Sequence, residues 1–406
     1  MTNNIIENLK NTSKINYINY LILFYAFTLS FPGQFKRTIA IILIILFLID
    51  KKVFFNINFK NKLFSLFVLF LSYSFFSFIW TNATMIDSLD YIRRYWYLIP
   101  IFIIFKYLTK EYIKLSISFF LAGIFLSEIF SYGNFFGIWE IGNGNITTPN
   151  VFMHHVFYSI FLAVTSLILF IKILLENKKI KKIIYILFFI TVNINLLINI
   201  GRTGQITLIL SIFVILLIFY RFKVKYLLIF FTISAVIIIL NYNYNSTFKN
   251  RISLINSDIS DIVINNNYYS SLGGRIGFWI ISKEILSENY KYLLFGTGAK
   301  QNIKKAHIIV DTKYPQLAYN KELTHFHNFY LSIITQFGIV GISIFLIILY
   351  LLFRLDIKDQ EIKLIKYSIL LVFIFSSLVD MPFYKDSTLS LFAFFTGIFL
   401  SQKKYQ

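Results

Sequence analysis

Three side chains far apart along the chain have the types and settings that could do chemistry: His327, Arg202 and Arg275. His327, followed by Asn328, stands where a hydrophilic run, roughly 240 to 328, gives way to the almost wholly apolar stretch Phe329 to Phe353. An imidazole, with a reference pKa of about 6.5, is a ready proton acceptor at a water-facing boundary. Arg202 lies in N-I-G-R-T-G between two apolar runs, flanked by Gly201 and Gly204, which allow close approach of a ligand or a neighbouring helix. Arg275 follows Gly273 and Gly274 at the expected start of a helix, where a cation opposes the helix dipole and a counter-anion would help to hold it. A guanidinium is always charged, and its planar fork suits phosphate oxygens. Two arginines and one histidine together suit a lipid-linked diphosphate: the arginines neutralise the leaving group while the imidazole deprotonates an attacking hydroxyl.

Each residue also has a plainer reading. His327 is then a helix-start histidine satisfied by the interface, Arg202 a snorkelling anchor and Arg275 a solvated loop charge. His325, two residues before His327, competes for the role of base, and His154 and His155 could line the same cavity. H-x-H plus H-H, with no thiolate and no adjacent carboxylate, matches no strong metal motif, so no metal and no cofactor are expected. Asp380 either orients an imidazole or pairs with Lys385; its role, like those of His154 and His155, stays open.

The elements that must position these residues are membrane helices. The 406 residues are 57% hydrophobic and 14% charged, with a mean hydropathy of +0.69. A soluble domain carries about a quarter charged residues. The formal net charge of +20 does not point to nucleic acid, because most Lys and Arg fall in short clusters between apolar runs and form no basic stripe on a soluble module. The absence of cysteine excludes disulfides and thiolate metal sites. The first apolar run, Ile15 to Phe31, lacks a small-residue cleavage site and reads as the first transmembrane helix.

A span needs about 20 residues. On that measure the sequence predicts twelve helices, at roughly 15–32, 36–50, 62–80, 93–109, 112–131, 151–175, 183–200, 204–220, 226–241, 329–353, 365–381 and 387–402. Lys51/Lys52, Lys178/Lys179/Lys181/Lys182, Arg221/Lys223/Lys225 and Lys403/Lys404 all fall in one alternate set of connections. That set is therefore cytoplasmic, and both termini face inward. Parity puts 242–328 outside as one large loop within a single polytopic membrane domain, 1–406. Within it, 241–271 is expected to be irregular. Residues 274–290 are expected to form a short amphipathic helix with Ile276, Trp279, Ile280 and Ile285 on its apolar stripe, ending near the L-L-F-G-T-G turn. Gly338 and Gly341 would share one face of the helix that follows His327.

The H-N-x9-G-x-x-G run at His327, Asn328, Gly338 and Gly341 resembles the signature of bacterial O-antigen ligases. R-T-G at 202–204 and G-R-x-x-x-W from Gly274 to Trp279, followed by G-T-G at 296–298, are similar to the same superfamily, which includes O-antigen polymerases and O-linked oligosaccharyltransferases. The resemblance implies an all-α, C-type membrane glycosyltransferase in the bacterial inner membrane, metal-independent and inverting, with its active site on the periplasmic side. The implied donor is a glycan on undecaprenyl diphosphate. The implied acceptor is a sugar hydroxyl of lipid A–core, and the product is full lipopolysaccharide. Carried over by motif, His327 is the general base and Arg202 and Arg275 hold the diphosphate; His325, Asn328, Trp279, Gly338 and Gly341 are possible supports. A polymerase or a protein O-oligosaccharyltransferase using the same donor remains the alternative. A transporter or flippase fits less well, because the distinctive polar residues gather at one face rather than at mid-membrane. Sugar composition and oligomeric state are not legible.

Overall fold

The computed structural model describes residues 2–49, 62–142, 144–220 and 246–405, with a few isolated positions between 221 and 245. Among the described residues every regular element is helical. In chain order, the helices are α1 Thr2–Thr28, α2 Gly33–Ile49, α3 Lys62–Phe76, α4 Met85–Ile92, α5 Pro100–Tyr107, α6 Lys110–Phe135, α7 His155–Leu175, α8 Lys179–Ile198 and α9 Arg202–Tyr220. They continue with α10 Ser246–Asn265, α11 Ser271–Glu288, α12 Tyr290–Phe295, α13 Gln301–Thr312, α14 Tyr319–Glu322, α15 Phe329–Arg354, α16 Gln360–Ser376 and α17 Asp386–Lys404.

Six segments among the described residues are long and apolar enough to cross a membrane: Lys62–Ile79, Lys110–Phe135, His155–Leu175, Lys179–Ile198, Arg202–Phe219 and Phe329–Arg354. Ile15–Thr28 is apolar but shorter, and the expected span at 226–241 lies outside the described residues. The expected span at 93–109 is not one helix. A 3-10 stretch, Arg93–Leu98, is followed by a restart at Pro100, whose ring and missing N–H suit a first helical position and not a helix interior.

Helix α7 is the hub. It packs against α8, α9 and α16, and its side chains from Phe157 to Leu169 are all buried. An apolar helix surrounded by other helices gains from close packing, and small residues permit it. At Gly204 of α9, an added Cβ would stand 2.1 Å from the Ser159 carbonyl oxygen of α7, and the Gly204 N–H donates to Ser159 Oγ at 3.0 Å. The glycines around Arg202 thus serve the approach of a neighbouring helix.

The loop between α9 and α15 is more ordered than the sequence predicts. Ser246–Asn265 is helical rather than irregular; the Asn and Ser run obscured isoleucines at 252, 255, 259 and 262, which recur at helical spacing. The expected amphipathic helix is α11, but its buried face is Phe278, Ile281 and Ile285, while Trp279 is 59% exposed. Phe278 stacks on Phe326 with ring centroids 4.4 Å apart. Together with Ile309, Val310, Leu317 and Leu331 these residues form a core separate from that of the membrane helices.

Helix α15 is broken at Gly338, which has φ 64° and ψ −166°. An interruption frees carbonyls that would otherwise accept within the helix. The G-T-G turn after α12 satisfies them. The N–H groups of Thr297 and Gly298 donate to the carbonyls of Thr335 and Gln336, each at 2.9 Å, and Tyr73 Oη donates to Phe337 O at 3.1 Å. A Cβ at Gly338 would meet the Leu294 carbonyl oxygen at 2.3 Å. At Gly341 it would meet Phe337 Cβ at 2.2 Å. The two glycines therefore do not mark one continuous face: Gly338 makes the break and Gly341 lets it close.

Candidate active site

The start of α15 fixes the histidines. Asn328 caps the helix: its side-chain oxygen accepts from the Leu331 N–H at 3.0 Å, and its amide donates to the Leu378 carbonyl at 3.0 Å. The Phe329 N–H donates to the Ser377 carbonyl at 2.9 Å. These bonds tie the helix start to the turn after α16, which carries Asp380. His327, immediately before the cap, has φ 48°, a left-handed conformation that costs a non-glycine residue free energy and persists when its surroundings impose it.

His325 and His327 have ring centroids 4.1 Å apart. One ligand-capable atom from each, together with a carboxylate oxygen of Asp380, lie within 4.8 Å of one another. The sequence offered no carboxylate beside H-x-H; the fold brings one from some fifty positions away. Three such atoms are a geometrically admissible cation site. The surroundings oppose that use. Burial and then the charge of Arg275 lower the His327 pKa to about 4. Burial, His327, Lys385, Lys300 and His154 lower that of His325 to about 3. The cations that disfavour a proton here disfavour a metal ion more strongly, and favour an anion.

Arg275, at the start of the second turn of α11, donates from one terminal nitrogen to Ser271 O at 2.9 Å and Ser271 Oγ at 2.8 Å. Its Nε is buried with no hydrogen-bond partner, as is His327 Nδ1. Burial lowers the Arg275 pKa, the Asp380 carboxylate pulls it back up, and the charge of Arg202 lowers it further. Burial raises the pKa of Asp380, against the Met381 N–H bond and the charges of Arg275 and Lys385. Arg202 is exposed at the first position of α9 and forms no ion pair with any described carboxylate.

The fold thus brings Arg202, Arg275, His325, His327 and Asp380 into one neighbourhood, drawn from α9, α11, the α15 entry and the α16–α17 turn. His154 joins it at the α7 N-cap, its ring 4.0 Å from that of His155 and its charge acting on His325. Gly338 and Gly341 shape α15, and Trp279 stands one turn beyond Arg275 on α11, 59% exposed. Sequence reading missed Lys300 and undervalued Lys385. Lys300 follows the G-T-G turn and holds φ 65°, with its N–H on Gln336 Oε1 at 2.9 Å; that turn was its available signal. A buried imidazole held neutral among cations can accept a proton, and guanidinium N–H groups left without protein partners can hold oxyanions.

Residues 186–346, which hold Arg202, Arg275 and His327, match the family model described as O-antigen ligase. No curated protein matches the chain. A match over that segment implies glycosyltransferase-type chemistry on lipid-linked glycans, in the O-antigen ligase or polymerase manner. Its apolar helices are those of a multi-pass membrane protein.

Proposed function

We propose, from the match of residues 186–346 to the O-antigen ligase family model, that the enzyme moves a glycan from undecaprenyl diphosphate to a sugar hydroxyl of lipid A–core. The reaction takes place at the periplasmic face of the bacterial inner membrane. The observation that carries this reading is the neutral His327 imidazole held beside Arg275, with Arg202 near enough for its charge to act on Arg275. Arg202 and Arg275 grip the donor diphosphate. His327 takes the proton of the acceptor hydroxyl as its oxygen attacks the anomeric carbon from the side opposite the diphosphate. The bond from that carbon to the phosphate oxygen breaks, its electron pair stays on the diphosphate, and the configuration inverts. The guanidinium groups neutralise the charge that develops on the leaving group. No covalent intermediate is needed, and the two cations supply the electrostatic role a metal ion would otherwise play.

Arrival of the diphosphate also tunes the base. Its negative charge offsets the Arg275 charge that depresses His327, so the imidazole becomes more basic as the donor binds. Twelve spans with both termini in the cytoplasm, forming a single polytopic domain, would put all three residues on the periplasmic side.

Reconstitution with labelled undecaprenyl-diphosphate glycan, a metal chelator, and lipid A–core, free glycan and a pilin-like protein as competing acceptors tests the reading. Label on lipid A–core is expected. Label on free glycan makes the enzyme a polymerase, and label on protein an oligosaccharyltransferase. Donor crossing the bilayer without transfer, or transfer abolished by the chelator, overturns the proposal.

A further inference from the structure

A second cationic cavity, unused by the reaction above, opens beside the histidines. It has a volume of about 400 Å³ and is lined by Arg37, Arg93, Arg94, Trp96, Tyr97, Lys385 and Asp386. Four cations face one carboxylate. Asp90 pairs with both Arg93 and Arg94, at 3.3 Å from Arg94, which leaves each guanidinium with further donors. Arg94 lies flat against Tyr384, 4.1 Å from the ring centroid, and Arg37 Nε donates to Tyr97 Oη at 3.2 Å. These contacts hold two guanidinium planes in place before any ligand arrives.

Lys385 joins the two regions. It lines this cavity, and its charge acts on His325 and on Asp380. Tyr384 is shared as well, lying against Arg94 on one side and lining a small crevice with His325 on the other. The cavity therefore lies at the same end of the helices as His327, and on the expected topology that end is the outer one. Basic residues there have no retention purpose, so a cluster of four calls for a ligand.

We propose that this cavity binds the phosphate groups of a phosphorylated glycolipid headgroup, the acceptor of the transfer. Two features favour a phosphorylated sugar over a bare phosphate. The cations are spread around a space large enough for more than one phosphate, and the half-buried Trp96, backed by the buried Tyr97 ring 4.2 Å away, supplies an aromatic surface on which the C–H face of a sugar ring can pack. Arg202 and Arg275 already account for the donor's diphosphate, and a second anionic headgroup needs its own cations. Assignment of the headgroup as acceptor rests on the proposed reaction; the anion site itself does not.

The test uses the full chain in nanodiscs, with three probes: a phosphorylated lipid A–core glycolipid, the same glycolipid after dephosphorylation, and inorganic diphosphate. Arg93→Gln/Arg94→Gln is expected to weaken binding of the phosphorylated glycolipid by about tenfold or more, the loss expected when charge-assisted hydrogen bonds are removed. It should leave the dephosphorylated form unaffected. Arg37→Gln, which gives up one hydrogen bond at an exposed position, should show a smaller loss of the same kind and serves if the double variant does not fold. Arg202→Gln/Arg275→Gln should keep its affinity for the phosphorylated glycolipid. In steady-state transfer, Arg93→Gln/Arg94→Gln should raise KM for the phosphorylated acceptor and leave KM for the donor as it is. Wild-type affinity for the phosphorylated glycolipid in the Arg93, Arg94 and Arg37 variants would overturn the proposal. So would equal losses for both glycolipid forms, or an effect confined to inorganic diphosphate. If wild-type protein binds in the expected pattern yet transfers no glycan, the transfer reading falls and the anion site stands.

Discussion

His327 combines a left-handed backbone, a buried Nδ1 without a partner and a pKa held down to about 4 by burial and Arg275. Each feature is unfavourable alone, and a bound anion relieves the last two. This gives a pH signature. The free enzyme keeps the imidazole neutral down to about 4, so the acid limb of kcat/KM should lie well below the ordinary histidine range. The donor's negative charge raises the pKa in the complex, so the acid limb of kcat should lie at higher pH than that of kcat/KM. Coincident limbs would remove the coupling between diphosphate and base. Arg202→Lys and Arg275→Lys keep the charge and lose the fork, so each should lower kcat/KM by about tenfold or more, read with donor limiting. Equal activity in either variant would take that residue out of the clamp. The three residue types were legible because cations and a histidine stand out in an apolar chain. Asp380 was legible only as two alternatives, orienting an imidazole or pairing with Lys385, because nothing local in the sequence reports that the α16–α17 turn brings it within reach of His325 and His327.

At the scale of elements, the break in α15 sets the direction from which His327 enters the site. Gly338→Ala places a side chain at φ 64°, with its Cβ 2.3 Å from the Leu294 carbonyl oxygen. With ψ −166° this backbone conformation is essentially open only to glycine and costs other residues about 1–3 kcal/mol, and the clash adds to it. The variant should melt at lower temperature in detergent than wild type and lose transfer activity more than Gly341→Ser loses it; unchanged melting would mean that α15 can straighten without cost. The glycine pair was legible as a motif but misread as a shared face, since spacing alone does not reveal a positive φ. The 93–109 region was misread for a related reason: its apolar average hid Pro100, where the helix restarts. The helix at Ser246–Asn265 was hidden in the opposite way, by polar residues typical of turns set among isoleucines at helical spacing.

At the scale of the molecule, the neighbourhood of His154 and His325 bears on topology. The sequence-expected topology, which counts a span at 226–241 outside the described residues, puts His154 and the loop that carries Arg275 on one face. The chain has no cysteine, so single cysteines can report sidedness directly. Asn145→Cys and Ser257→Cys should react with a membrane-impermeant maleimide in intact spheroplasts, and Lys358→Cys only after lysis. Labelling of Asn145→Cys without Ser257→Cys would break the expected parity. The helical class and the single charged face were legible from hydropathy and from the placement of Lys and Arg. The cavity of Arg37, Arg93, Arg94 and Lys385 was not, since its members lie on three separate segments and two of them sit inside what reads as one span. The most direct measurement of the whole account is transfer by purified His327→Ala in liposomes, with donor binding followed in parallel. The account predicts donor affinity within about twofold of wild type and transfer reduced by roughly 10²–10⁴-fold, the scale of a lost general base. Transfer at the wild-type rate would contradict it.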